Sequence, residues 1–77
     1  MKTMQNSAAS IAERLTQLGF SQYEARTYVG LLTAGGATGY SVANETGVPQ
    51  PKVYETLRRL VDRGAATLIG EHPARYA

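Results

Sequence analysis

The feature that most restricts how this chain can fold is a spacing. Ala43 is followed four residues later by Gly47, and six residues after that by Val53. A small residue, a glycine and an apolar residue at these intervals predict two short helices joined by a tight turn. The small Ala43 lets the second helix cross the first closely. Gly47 accepts the positive φ of the turn without steric cost. Val53 then faces back toward the first helix, and Val42 and Val48 fit the inward positions on either side. Two helices crossed in this way form a helix-turn-helix, which leaves the second exposed for insertion into a DNA major groove.

The flanking pattern extends the motif to a single domain over 1–77, small enough that its core is thin unless a partner subunit adds buried area. Ala8, Ile11, Ala12, Leu15 and Leu18 recur at helical spacing and predict a first helix over 7–18, ended by Gly19. Ser21 and Glu24 form a capping-box pair, with Phe20 as the staple before it, and open a second helix over 22–33. Its inward residues are expected to be Ala25, Tyr28, Val29 and Leu32, and Gly35-Gly36 stops it. Thr38 is the N-cap of a short helix over 39–46, and Gly47-Val48-Pro49 is the turn. Pro51 sits near the start of the fourth helix, 50–63, where its missing N–H costs nothing.

The fourth helix has two faces. Val53, Tyr54, Leu57, Leu60 and Val61 form the inward stripe. Lys52, Glu55, Thr56, Arg59 and Asp62 point the other way, with Arg58 and Arg63 on the flanks. Beyond Gly64, residues 66–69 read as a strand, 70–73 as a turn, and Ala74-Arg75-Tyr76 as a returning strand, so 65–77 form a wing. The expected fold is mainly α with a small β-hairpin, a winged helix-turn-helix.

Composition excludes several alternatives. There is no cysteine, so neither a disulfide framework nor a thiolate metal site is expected, and a reducing cytoplasm suits the chain. No apolar run approaches the roughly 18 residues of a membrane span, and Met1-Lys2-Thr3-Met4-Gln5 lacks the apolar stretch of a signal peptide. One isolated histidine, scattered carboxylates and no phosphate loop argue against an enzyme and against a cofactor or metal. The net charge is +2, and its placement is more telling than its size. Residues 1–47 balance three basic against three acidic side chains. Residues 48–77 carry Lys52, Arg58, Arg59, Arg63 and Arg75 against Glu55, Asp62 and Glu71, so the excess lies in the fourth helix and the wing. A local basic surface is what a phosphate backbone requires.

Three blocks of sequence carry a family resemblance. They are Leu18-Gly-Phe-Ser-Gln-Tyr-Glu-Ala-Arg-Thr-Tyr28, Gly47-Val-Pro-Gln-Pro-Lys-Val-Tyr-Glu-Thr-Leu57 followed by Gly64, and Pro73-Ala-Arg-Tyr76. Together they resemble the N-terminal domain of the TrmB-type transcriptional regulators over roughly 15–77. That resemblance implies a winged helix that binds operator DNA, usually as a dimer. The chain departs from the family pattern at Ala65-Ala66, where bulkier apolar residues are usual, and the first wing strand is expected to pack loosely. It departs again at Gly39-Tyr40, at the start of the third helix. Family members usually continue into a coiled-coil or effector domain, so the chain is expected to be either an excised domain or a regulator without the sensor.

Candidate DNA contacts follow from position. Gln50, Pro51, Lys52, Glu55, Thr56 and Arg59 occupy the first turns of the recognition helix, where base edges are read. Arg59 or Lys52 suits guanine, Gln50 adenine and Glu55 the cytosine amine. The competing role for Glu55 and Arg59 is an i,i+4 pair on a solvated face. Arg58 and Arg63 are placed to touch phosphates, as are Thr38, Tyr40 and Ser41 at the third-helix N-terminus. His72 and Arg75 lie on the wing. Tyr23, Tyr28 and Tyr54 are read as packing residues. The expected partner is double-stranded DNA, bound by a homodimer that pairs through helix 7–18, with a cytoplasmic location, nucleoid-associated when on DNA. The alternative is a winged-helix protein–protein interaction module without nucleic acid.

Overall fold

The computed structural model describes residues 8–77. Of the first helix expected over 7–18, Ser7 and the side chain of Ala8 lie outside the described residues. The described residues form four helices, α1 (Ala8–Gln17), α2 (Gln22–Ala34), α3 (Gly39–Thr46) and α4 (Gln50–Asp62). Three short strands complete the fold, β1 (Ala37–Thr38) between α2 and α3, then β2 (Leu68–Glu71) and β3 (Ala74–Tyr76).

Helix α2 begins where its capping box closes. The Glu24 N–H donates to Ser21 Oγ at 3.1 Å, and the Ser21 N–H donates to Glu24 Oε1 at 2.8 Å. Two of the orphan donors of the helix N-terminus are satisfied at once. Gly35, at φ 66°, ends the helix in the left-handed conformation. The α3–α4 turn is built the same way. Gly47 takes φ 77° and returns its N–H to Ala43 O. Thr46 Oγ1 then donates to Val42 O at 2.7 Å and accepts from the Val48 N–H at 3.2 Å, which locks the turn from inside.

The core sits where α2, α3 and α4 meet. Val42, Val48, Val53, Leu57 and Leu60 are each no more than 2% exposed, with Leu31, Ala37 and Ala66 completing the cluster. Burying five such side chains stabilises the domain by roughly 1.5–3 kcal/mol apiece before conformational entropy is counted. Helix α1 packs on α2, with Ile11, Ala12 and Leu15 only half-buried. Gly30 brings α2 close to α3: a Cβ there would stand 2.6 Å from the Thr46 methyl.

The packing corrects several expectations. Leu31, not Leu32, enters the core, and Leu32 is exposed. Leu18 lies beyond the end of α1 and is exposed rather than inward. Tyr23 and Tyr54 are partly exposed rather than interior. Ala66, before the first wing strand, is buried, while β2 itself packs loosely, with Leu68 and Ile69 exposed. The sheet also has a third strand, which no local pattern in the sequence announces. Its order is β1-β3-β2, all antiparallel, with Ala37 opposite Tyr76, Thr38 opposite Arg75, and Leu68 also opposite Tyr76. A bulge between Leu68 and Gly70 twists the β2 edge. Mutual backbone hydrogen bonds between Thr67 and Ala77 close the base of the hairpin.

Candidate nucleic-acid interface

Helix α4 is amphipathic, so one side is fixed by the core and the other is free. Val53, Leu57 and Leu60 recur at helical spacing and anchor it against α2 and α3. Gln50, Pro51 and Lys52 form the exposed first turn. Arg58 and Arg59 follow on the outer side, both exposed. Arg59 Nη2 donates to Glu55 Oε2 at 2.8 Å, with side chains 56% and 42% exposed. An ion pair this open to water adds only tenths of a kcal/mol. It orders the two side chains and leaves both within reach of a ligand.

Two expected contacts are placed elsewhere. Thr56 is only 3% exposed, and its hydroxyl donates to Lys52 O at 2.7 Å. It can be buried without cost because its hydroxyl is satisfied within the helix. Arg63 lies at the C-terminal end of α4 and reaches back to the α1–α2 corner. Its Nη1 donates to Glu24 Oε1 at 3.0 Å, and its guanidinium lies 4.1 Å from the centre of the Phe20 ring. The Glu24 side chain is 9% exposed, so the arginine balances a carboxylate already committed to the capping box. The Arg63 side chain is thereby engaged in holding the fold.

The N-terminus of α3 lies at the other end of the motif. Thr38 Oγ1 accepts from the Ser41 N–H at 3.2 Å as the N-cap. Tyr40 and Ser41 are exposed beside it. On the hairpin, His72 and Arg75 are exposed. Among the described residues, Lys52, Arg58 and Arg75 carry no ion-pair partner, whereas Arg59 and Arg63 do.

Two tyrosines join this surface that spacing alone does not assign to it. Tyr54 leans over Gly39, where a Cβ would come within 2.9 Å or less of its ring carbons. The absence of a side chain at Gly39 therefore seats the ring at the start of α3 and turns its remaining edge outward. The unusual Gly39-Tyr40 pair was the available signal, but nothing local connected it to Tyr54. Tyr76, on β3, is half-buried and faces the same space. Between α4 and the hairpin lies a groove of about 410 Å³, lined by Tyr54, Glu55, Arg58, Val61, Leu68 and Tyr76. No group of three or more His, Cys, Asp or Glu able to hold a metal occurs among the described residues.

Residues 15–77 match the sequence profile of the family described as sugar-specific transcriptional regulator TrmB. The chain belongs to the TrmB family. Among its relatives, the HTH-type sugar sensing transcriptional regulator TrmBL1 of Pyrococcus furiosus is 30% identical over 67 residues, covering 87% of this chain and 20% of the relative. The protein YrhO of Bacillus subtilis is 48% identical over 50 residues, covering 65% of this chain and 18% of YrhO. A solved structure of TrmBL2, described as an archaeal chromatin protein with a novel mode of DNA binding, superposes with a TM-score of 0.85 at 31% identity. That match covers 90% of this chain and 27% of TrmBL2. The TrmB-family chain thus has the winged-helix fold and spans about a quarter or less of the length of these relatives.

Proposed function

We propose that this chain is a sequence-specific DNA-binding unit of a transcriptional regulator and that it acts by occupying an operator, with no chemistry of its own. The observation that carries this reading is the outer side of α4. The core fixes its inner side, and the outer side presents Gln50, Lys52, Glu55, Arg58 and Arg59 to solvent next to the hairpin. Family membership supports it, as does the likeness in fold to TrmBL2, a protein described as binding DNA.

In this reading α4 enters the major groove. Gln50, Lys52, Glu55 and Arg59 meet base edges, and Pro51 lets the first turn approach closely. Thr38, Tyr40 and Ser41 meet a phosphate at the start of α3, while Arg58 adds a charge on the flank. His72 and Arg75 bring the hairpin to the backbone or the minor groove. The regulator works as a homodimer, paired through α1, which packs on α2 and leaves an open groove of about 550 Å³ along α1, α2 and α3. No described helix is long and apolar enough to cross a membrane, and the proposed site of action is the cytoplasm.

The test is a titration of the chain against its own upstream DNA at several salt concentrations. Binding should weaken steeply as salt rises, because phosphate contacts release counterions. Arg59→Ala should cost about 1–3 kcal/mol on the operator and relax specificity at one position. Binding of a protein partner with a flat salt dependence, and no duplex binding even at low salt, would instead establish the protein-interaction module.

A further inference from the structure

The groove between α4 and the hairpin leaves apolar surface open to solvent at Tyr54 and Leu68, although its floor residues Val61 and Tyr76 also pack on the core. Tyr54 and Leu68 are left 47% and 42% exposed across it, and Val61 and Tyr76 form its half-buried floor. Arg58 stands on its rim with no ion-pair partner among the described residues. The other charge, Glu55, also lines the groove, and it is neutralised by Arg59 at 2.8 Å. The unbalanced charge of the groove is therefore positive.

An apolar trough with a positive rim fits one component of duplex DNA. If α4 lies in the major groove and the hairpin reaches the neighbouring minor groove, one sugar–phosphate strand separates the two. That strand has to pass between helix and hairpin. Deoxyribose offers C–H faces to apolar side chains, and its phosphates accept from arginine and from tyrosine hydroxyls. We propose that this groove is the seat of that strand, with Tyr54, Leu68 and Tyr76 packing on sugars and Arg58 pairing with a phosphate. The proposal rests on the DNA-binding reading above and adds the strand-seating groove to it. It assigns binding roles to two tyrosines and a leucine on top of the base-reading side chains.

The experiment measures binding of the whole chain to a fluorescently labelled mixed-sequence duplex across a salt series. Leu68→Glu sets a negative charge inside the groove at an exposed position. It should weaken binding by about tenfold or more, since like charge facing a phosphate is costly, while the thermal melt stays near wild type. Leu32→Glu makes the same change on the exposed side of α2, outside the groove, and should bind as wild type. Arg58→Ala should lower the slope of log affinity against log salt by about one. If the wild-type chain binds the duplex but Leu68→Glu and Arg58→Ala match it in affinity and slope, the groove proposal fails and the DNA reading stands. If the wild-type chain binds no duplex at low salt, both fall.

Discussion

Helices α1 and α4 are both amphipathic, yet they are held in opposite ways. Helix α4 is clamped between α2 and α3 by Val53, Leu57 and Leu60, none of which is exposed at all. It is tied at its far end by Arg63 to Glu24 and Phe20. Helix α1 rests on α2, its apolar residues are half-buried, and an open groove runs beside it. Apolar residues at helical spacing do not by themselves make a core. What separates the two helices is the number of neighbouring elements each can reach, and that is set by the turns. A three-residue turn after α3 folds α4 straight back onto it, whereas α1 packs mainly on α2.

The sharpest way to break this contrast is to cut both helices equally. Leu57→Ala should destabilise the domain by about 2–5 kcal/mol, because the cavity it leaves is walled on all sides. Ile11→Ala should cost about 1 kcal/mol or less, since half of that side chain already meets water. Chemical denaturation of the two variants measures both, and similar losses would show α1 to be as much a part of the core as α4. Next in size is Gly39→Ala. The new methyl would overlap the Tyr54 ring, and the displaced ring should cost about 1–3 kcal/mol. Tyr54→Ala in the same background should recover part of that loss, which a purely local effect of alanine on α3 would not allow. The smallest expected effect has the opposite sign. Thr27 is completely buried in α2 and its hydroxyl has no hydrogen-bond partner among the described residues. Thr27→Val keeps the shape and removes the orphan oxygen, so a rise in stability of about 1 kcal/mol is expected in the same denaturation assay.

Much of the fold was legible because its signals are local. The capping box at Ser21 and Glu24 lies within four residues, and the Gly47 turn is framed by Val42, Val48 and Val53 a few positions away. The winged-helix class follows from those signals with the hairpin after Gly64. What stayed hidden depends on distant partners. Leu31 and Leu32 are adjacent on a helix, and which one enters the core is decided by where α3 and α4 lie. Strand β1 is two residues long, too short to show any alternation, and exists because β3 pairs with it. Arg63 reads as a flank charge until Glu24, 39 residues earlier in the chain, is brought beside it. Thr56 sits at the boundary of the two faces, and its burial turns on the rotation of α4 about its own axis. For the candidate site, spacing alone named Gln50, Lys52, Glu55 and Arg59 on the outer side of α4 but wrongly added Thr56. The outward edge of Tyr54 could not be named that way, because it is Gly39 that puts it there.

The strand order β1-β3-β2 has a mechanical consequence. The hairpin is commonly pictured as a flexible flap, but here its inner strand is hydrogen-bonded to the two residues that run directly into α3. Helix and flap are thus riveted to one chassis, and the gap between them is preset like the jaws of a fixed gauge. A duplex received by such jaws would have to bring its own groove width to fit, so the stiffness and shape of the nucleic acid, and not adjustment by the protein, would decide how well it seats.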